Sequence, residues 1–144
     1  PNAAFTRDAR IVFLDDSIVR GTQLKDNVVK LRECGVKEVH IRIACPPLIY
    51  PCCFLNFSTS RSTFDLFARR VIRDLEGTSE LTDEILKPYS DPDSEKYKDI
   101  SIPMWQHLQL DSLQFQRLDD LVKAIGLPKE QLCTHCWDNS SYME

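Results

Sequence analysis

The sequence predicts an α/β fold: a parallel sheet with flanking helices, followed by a helical C-terminal region. Three observations predict it. The apolar run Ile11-Val12-Phe13-Leu14 leads straight into Asp15-Asp16 and the short loop S-I-V-R-G-T. After Gly21 the period changes, and Leu24, Val28 and Leu31 recur at i, i+4 and i+7, as on one face of a helix. Val39, Ile41 and Ile43 then alternate with His40, Arg42 and Ala44, which reads as a second strand parallel to the first.

Taken in order, Pro1 to Arg10 is polar and reads as an approach loop or a truncated segment. The run from Ile11 suits a strand buried on both faces of the sheet. The polar loop falls just past its carboxyl end, where open α/β sheets bind ligands. Gly35 sits where a left-handed helix stop belongs. His40 reads as a solvated or packed side chain rather than a ligand, and Cys34 and Cys45 as small buried apolar residues. Cys45-Pro46-Pro47 breaks the second strand, and the chain crosses Pro51-Cys52-Cys53 in an irregular loop. Ser58-Thr59-Ser60 supplies capping residues for an amphipathic helix marked by Phe64, Phe67, Ala68, Val71 and Leu75, ending at Gly77. Leu81 and Ile85 mark a short helix before Pro88. Tyr89 to Ile102, rich in Asp, Ser, Lys and Pro, reads as a surface excursion. Leu118, Leu121, Val122 and Ile125 form the last helix, stopped by Gly126 and Pro128, and a tail carries Cys133-Thr134-His135-Cys136. The expected division is residues 1–77, bearing the ligand loop, and residues 78–144, helical with the cysteine-bearing tail.

Composition narrows the function. A chain of 144 residues is long enough for one domain with a real core. It begins at Pro1 without a methionine, as a fragment would. The net charge of -4 leaves no basic footprint for nucleic acid. The Arg69-Arg70-Arg73 cluster fits the exposed side of a helix. No stretch reads as a membrane span or a secretory signal, so the expected location is cytoplasmic. In such a protein the six cysteines point to metal or cluster ligation rather than disulfides.

The loop chemistry follows from residue types. Ionised Asp15 and Asp16 only accept hydrogen bonds, which suits a sugar diol or a hydrated Mg²⁺. Ser17 and Thr22 offer hydroxyls. Gly21 lets the backbone approach an anion, with the amides and dipole of the next helix behind it. Carboxylates at one end and an amide nest at the other describe a pocket for a ribose 5-phosphate. The plainer reading of an Asp-Asp pair alone is a strand-to-helix turn with solvated acids. The Cys133/Cys136 pair alone is compatible with zinc, an iron–sulfur cluster, a redox pair or nothing. A redox pair usually opens a helix, whereas this one follows a helix stop.

The octet D-D-S-I-V-R-G-T resembles the phosphoribosyl pyrophosphate (PRPP) motif of type I phosphoribosyltransferases. Its S-I-V-R-G-T form is most similar to the glutamine PRPP amidotransferases. R-I-A-C-P-P-L-I-Y-P-C, D-S-L-Q-F-Q-R-L-D-D-L-V-K-A-I and C-T-H-C-W also resemble that family, so the likeness covers most of the chain outside Tyr89 to Ile102. It implies a type I phosphoribosyltransferase-like sheet, of which this chain is the later part. It also implies an enzyme making 5-phosphoribosylamine from PRPP and glutamine-derived ammonia, with a glutaminase domain upstream and no catalytic residue in this chain. Asp15 and Asp16 would hold the ribose hydroxyls and Mg²⁺. Ser17, Arg20, Gly21 and Thr22 would line the 5-phosphate, with Ile18 and Val19 completing the PRPP loop. Cys52, Cys133 and Cys136 would ligate a [4Fe–4S] cluster completed by an upstream cysteine. Purine nucleotides would act as feedback inhibitors, and the full-length protein would be a homo-oligomer. The chain departs from the family at Cys53, where an aromatic residue is expected, and after Trp137, where Gly and Pro are missing. The alternatives are a PRPP-sensing regulator without catalysis, a vestigial nucleotide site carrying a zinc or cluster module, Cys53 in place of Cys52, and zinc with His135.

Overall fold

The computed structural model describes residues 3–52, 54 and 62–141. The Ser58-Thr59-Ser60 cap and Cys53 lie outside the described residues. Strand β1 (Arg10–Asp15) leads through helix α2 (Thr22–Glu33) to β2 (Glu38–Ile43). The two strands are parallel, with Phe13 opposite Ile41 and Asp15 opposite Ile43. The approach segment differs from expectation, since Ala3–Thr6 forms a one-turn helix, α1. The Asp8 N–H donates to the Gly35 carbonyl (2.8 Å), which ties this segment to the end of α2. Gly35 has φ 81°, the left-handed stop its position predicts.

Alternation along β2 is borne out: Val39, Ile41 and Ile43 are buried, while His40 and Arg42 are half-buried on the opposite face. There His40 packs between the Ser112 hydroxyl (2.9 Å) and Glu38 (3.1 Å). The expectation for β1 needs correction. Its residues are largely exposed, with Val12 59% and Leu14 83% accessible. The reason lies in the sheet order β1-β2-β3, which makes β1 an edge strand among the described residues. Its inner residues Ile11 and Phe13 share a face with the core row of β2. Val12 and Leu14 share the other face with His40 and Arg42.

The third strand, β3 (Ser112–Phe115), was not foreseen. It pairs in parallel with β2, Ile41 opposite Leu113 and Ile43 opposite Phe115. Asp111 anchors its entry by accepting from both the Arg32 guanidinium and the Val39 N–H, each at 2.6 Å. Partial burial pushes the Asp111 carboxyl up, but these two donors outweigh it and hold it below the usual carboxylate range.

Among the described residues between β2 and β3 run three α-helices, α3 (Phe67–Glu76), α4 (Asp83–Ser90) and α5 (Glu95–His107). Ser62 caps a short 3-10 turn (Thr63–Asp65) ahead of α3 by accepting from the Phe64 N–H (3.2 Å). The helix ends at Gly77 with φ 67°. Two expectations fail here. Helix α4 continues through Pro88 to bury Tyr89 instead of stopping before the proline. The supposed excursion is mostly α5, whose Ile100, Met104 and following Leu108 are completely or almost completely buried. Apolar residues four apart place one stripe in the core despite the polar composition. Ser94 caps α5 by accepting from the Tyr97 N–H (3.2 Å). Helix α6 (Leu118–Ile125) ends at Gly126 as expected. The arginine cluster is half-buried rather than free on an exposed face. Arg69 donates to the Ile49 carbonyl (2.7 Å), and Arg73 lies over the Phe64 ring. Cys45 is buried as expected, whereas Cys34 is only half-buried. No helix among the described residues is long and apolar enough to cross a membrane.

Candidate functional site

The loop from Asp15 to Thr22 forms where β1 ends and α2 begins. The strand ends because Asp15 and Asp16 place charged groups at the sheet's carboxyl edge, where the Ala44 N–H still reaches the Asp15 carbonyl (2.9 Å). Both carboxylates are exposed. Their contacts are local: the Asp16 N–H donates to Asp15 Oδ1 (3.0 Å), and the Ser17 hydroxyl reaches Asp16 Oδ1 at 3.4 Å. Ile18 is the loop's anchor. Its side chain is buried in the core, so only its backbone is left for a ligand.

Two contacts from α3 fasten the middle of the loop. The Val19 carbonyl accepts from the Phe67 N–H (2.8 Å), and the Arg20 carbonyl from Arg70 Nη2 (2.6 Å). Gly21 follows with φ 74° and serves as N-cap of α2 without a side-chain hydrogen bond. A Cβ there would lie 3.3 Å from the Phe67 ring and 3.4 Å from Leu108, so glycine is required both for its φ and for the space. The first amides of α2 therefore have no side-chain cap and carry the positive end of the helix dipole.

All residues from Asp15 to Leu24, with Asp26 and Asn27, line one open cavity of about 900 Å³. The lining gathers carboxylates, hydroxyls and helix-opening amides, with the Ser17 hydroxyl beside Asp16. This set can hold a polyol at one end and an anion at the other, with room for a bound cation between ligand and carboxylates. Arg70 and the Phe67 amide were not singled out from the sequence. The signal for Arg70 is the Arg69-Arg70-Arg73 cluster, which by sequence fits the exposed side of a helix.

The cysteine tail docks elsewhere on the body. Contrary to expectation, the Cys133/Cys136 pair does open a helix, the single turn α7 (His135–Asp138). The Ile49 and Tyr50 N–H groups both donate to the Cys136 carbonyl, at 2.9 and 3.0 Å. Buried Thr134 donates to Asp138 Oδ1 (2.7 Å), which also accepts from the Ser140 N–H and, through Oδ2, pairs with Lys129 (2.6 Å). These contacts bring Cys52 and Cys136 into hydrogen-bond contact. The Cys136 thiol is pushed up to about 12, first by burial and then by Cys52, with Cys133 adding to it. Cys52 is buried and Cys133 is exposed. Among the described residues no group of three His, Cys, Asp or Glu is arranged to hold a metal ion. His135 tilts against the Tyr50 ring at 6.1 Å.

No family model matches the chain. It is 63% identical over 43 residues to an amidophosphoribosyltransferase of Pyrococcus horikoshii, covering 30% of this chain and 10% of that protein. It is 32% identical over 139 residues to the amidophosphoribosyltransferase of Mycobacterium bovis, covering 96% of this chain and 21% of that protein. Among solved structures, the glutamine PRPP amidotransferase of B. subtilis, complexed with ADP and GMP, matches at a TM-score of 0.64 and 26% identity. That match covers 96% of this chain and 25% of the other. The chain thus spans only about a fifth of the length of its long-matching relative. Sequence and fold agree over nearly all of its residues, and the chain belongs to the amidophosphoribosyltransferase family.

Proposed function

We propose that this chain carries the PRPP site of a glutamine PRPP amidotransferase. The whole protein would form 5-phosphoribosylamine from PRPP and glutamine-derived ammonia, the first step of purine synthesis. The observation that carries the reading is one open cavity lined by Asp15 to Leu24, which gathers the two carboxylates, the loop hydroxyls and the uncapped start of α2. Asp15 and Asp16 would take the ribose hydroxyls and bound Mg²⁺. The Ser17 and Thr22 hydroxyls, with the backbone at Arg20 and Gly21, would take the 5-phosphate. Magnesium, when bound, would neutralise charge on the pyrophosphate leaving group. The chain's own contribution is to hold the sugar in place and stabilise charge, and no residue of the loop is suited to act as nucleophile. The exposed apolar edge of β1 is where we place the remainder of the sheet. ADP and GMP in the B. subtilis relative support purine nucleotides as regulators here. The relatives are enzymes by name, which favours catalysis over a PRPP-sensing role.

The test is PRPP-dependent glutamine hydrolysis by the full-length protein. Glutamate and pyrophosphate should form in equal amounts only when both substrates are present. PRPP binding without turnover would point to the sensing role instead.

For the cysteines we propose a [4Fe–4S] cluster. The described thiols fit two corners of it, the adjoining Cys52 and Cys136. Cys133, exposed at the start of the same turn, would take a third by a small movement of the tail, and a cysteine outside this chain the fourth. Such a group would staple α7 to the Ile49–Cys52 loop, a structural task. Full-length protein purified without oxygen should contain about four iron and four sulfide per chain, and Cys136→Ser should remove them. Zinc in their place, or iron retained in that variant, would discard the assignment.

A further inference from the structure

Arg70 lies outside the motif, yet its guanidinium is the most heavily committed group near the loop. Nη1 donates to the Phe64 and Asp65 carbonyls, each at 3.0 Å, and Nη2 donates to the Arg20 carbonyl at 2.6 Å. The guanidinium also stacks over the Phe67 ring at 5.5 Å, the same ring that closes on Gly21. Three carbonyls from two segments are thus held by one rigid fork, which a lysine cannot reproduce.

The consequence follows from peptide geometry. No peptide bond among the described residues is cis, so the N–H of each points opposite to the carbonyl of the preceding residue. With the Arg20 carbonyl drawn towards Arg70, the Gly21 N–H is turned the other way. The peptide before a left-handed glycine is one that rotates easily, since either orientation suits a glycine-containing turn. Rotated, it would present a carbonyl oxygen to the cavity and repel an anion there. We infer that Arg70 is a positioning residue for the 5-phosphate: it locks the Arg20–Gly21 peptide so that the Gly21 N–H faces the ligand. The Val19 carbonyl, held by the Phe67 amide, fixes the neighbouring peptide in the same manner. This inference rests on the reading of the loop as a PRPP site.

The test uses full-length protein with Arg70→Lys and Arg70→Met. Equilibrium binding of PRPP, ribose 5-phosphate and magnesium pyrophosphate is measured beside the thermal midpoint. Arg70→Lys should weaken PRPP and ribose 5-phosphate about tenfold, the worth of a charge-assisted hydrogen bond, and leave pyrophosphate binding unchanged. Its thermal midpoint should stay within about 2 °C of wild type. If Arg70→Met fails to fold, the lysine variant still decides. Equal losses for all ligands together with a lowered midpoint would make Arg70 merely structural and overturn the inference. So would an Arg70→Lys variant that keeps the affinity of wild type for ribose 5-phosphate, where wild type binds it well. A wild-type protein that binds neither PRPP nor ribose 5-phosphate would instead overturn the reading of the site itself, and this inference with it.

Discussion

Asn in place of Asp15 or Asp16 in the full-length protein is expected to lower kcat/KM for PRPP about a hundredfold, with little change in stability. Both side chains are exposed, and among the described residues their hydrogen bonds run to adjacent residues. Asn keeps the size and one acceptor, so those local bonds survive in part, and the stability change should stay within about 0.5 kcal/mol. What Asn cannot supply is negative charge at the mouth of the cavity. A hydrated cation bound beside the sugar loses a ligand or its second-layer acceptor, and a ribose diol loses a charge-assisted bond. The measurement is steady-state kinetics at several magnesium concentrations beside thermal unfolding. Partial rescue of the Asn variants by high magnesium would place the acids on the cation. A variant that unfolds instead would make them structural and remove them from the site.

That expectation was available from sequence because the loop is contiguous. Strand, acidic pair, glycine and helix follow one another within a single β-loop-α unit, and each step has a local signature. The same holds for β2, where alternation and burial coincide. Legibility fails where the deciding interaction is distant. Strand β3 is four residues long, S-L-Q-F, with only Leu113 fully buried. Too short to show a period, it is defined by pairing with β2 some seventy residues earlier. The Arg70 contact with the Arg20 carbonyl spans fifty residues and leaves no pattern in either segment. β1 differs for another reason: four apolar residues in a row report what a strand is suited to bury, and at the sheet edge among the described residues only Ile11 of the four is even half-buried.

The segment between Tyr89 and His107 misled through composition. The expected excursion ends at Ile102, which divides the apolar stripe of α5 in two and hides the spacing of Ile100, Met104 and Leu108. Pro103 lies inside α5, where a proline removes one backbone hydrogen bond. The structure accepts that loss because the stripe on either side is buried against the core. The contrast between two isoleucines two positions apart measures how much the burial matters. Ile100 is 0% accessible and Ile102 47%. Ile100→Ala should destabilise the protein by about 2–5 kcal/mol, the range for emptying a packed aliphatic site. Ile102→Ala should stay within about 0.5 kcal/mol, the range for surface changes. In thermal unfolding of the full-length protein, the first variant should lose several degrees and the second almost none. The damage should also reach the ligand. Leu108, at the end of the same stripe, backs Gly21, so a loosened α5 slackens one of the two side chains against which the loop is seated. Ile100→Ala should therefore weaken PRPP binding although it touches no part of the cavity, and Ile102→Ala should not. Equal behaviour of the two variants would mean that α5 does not form part of the core and that the loop is supported by α3 alone.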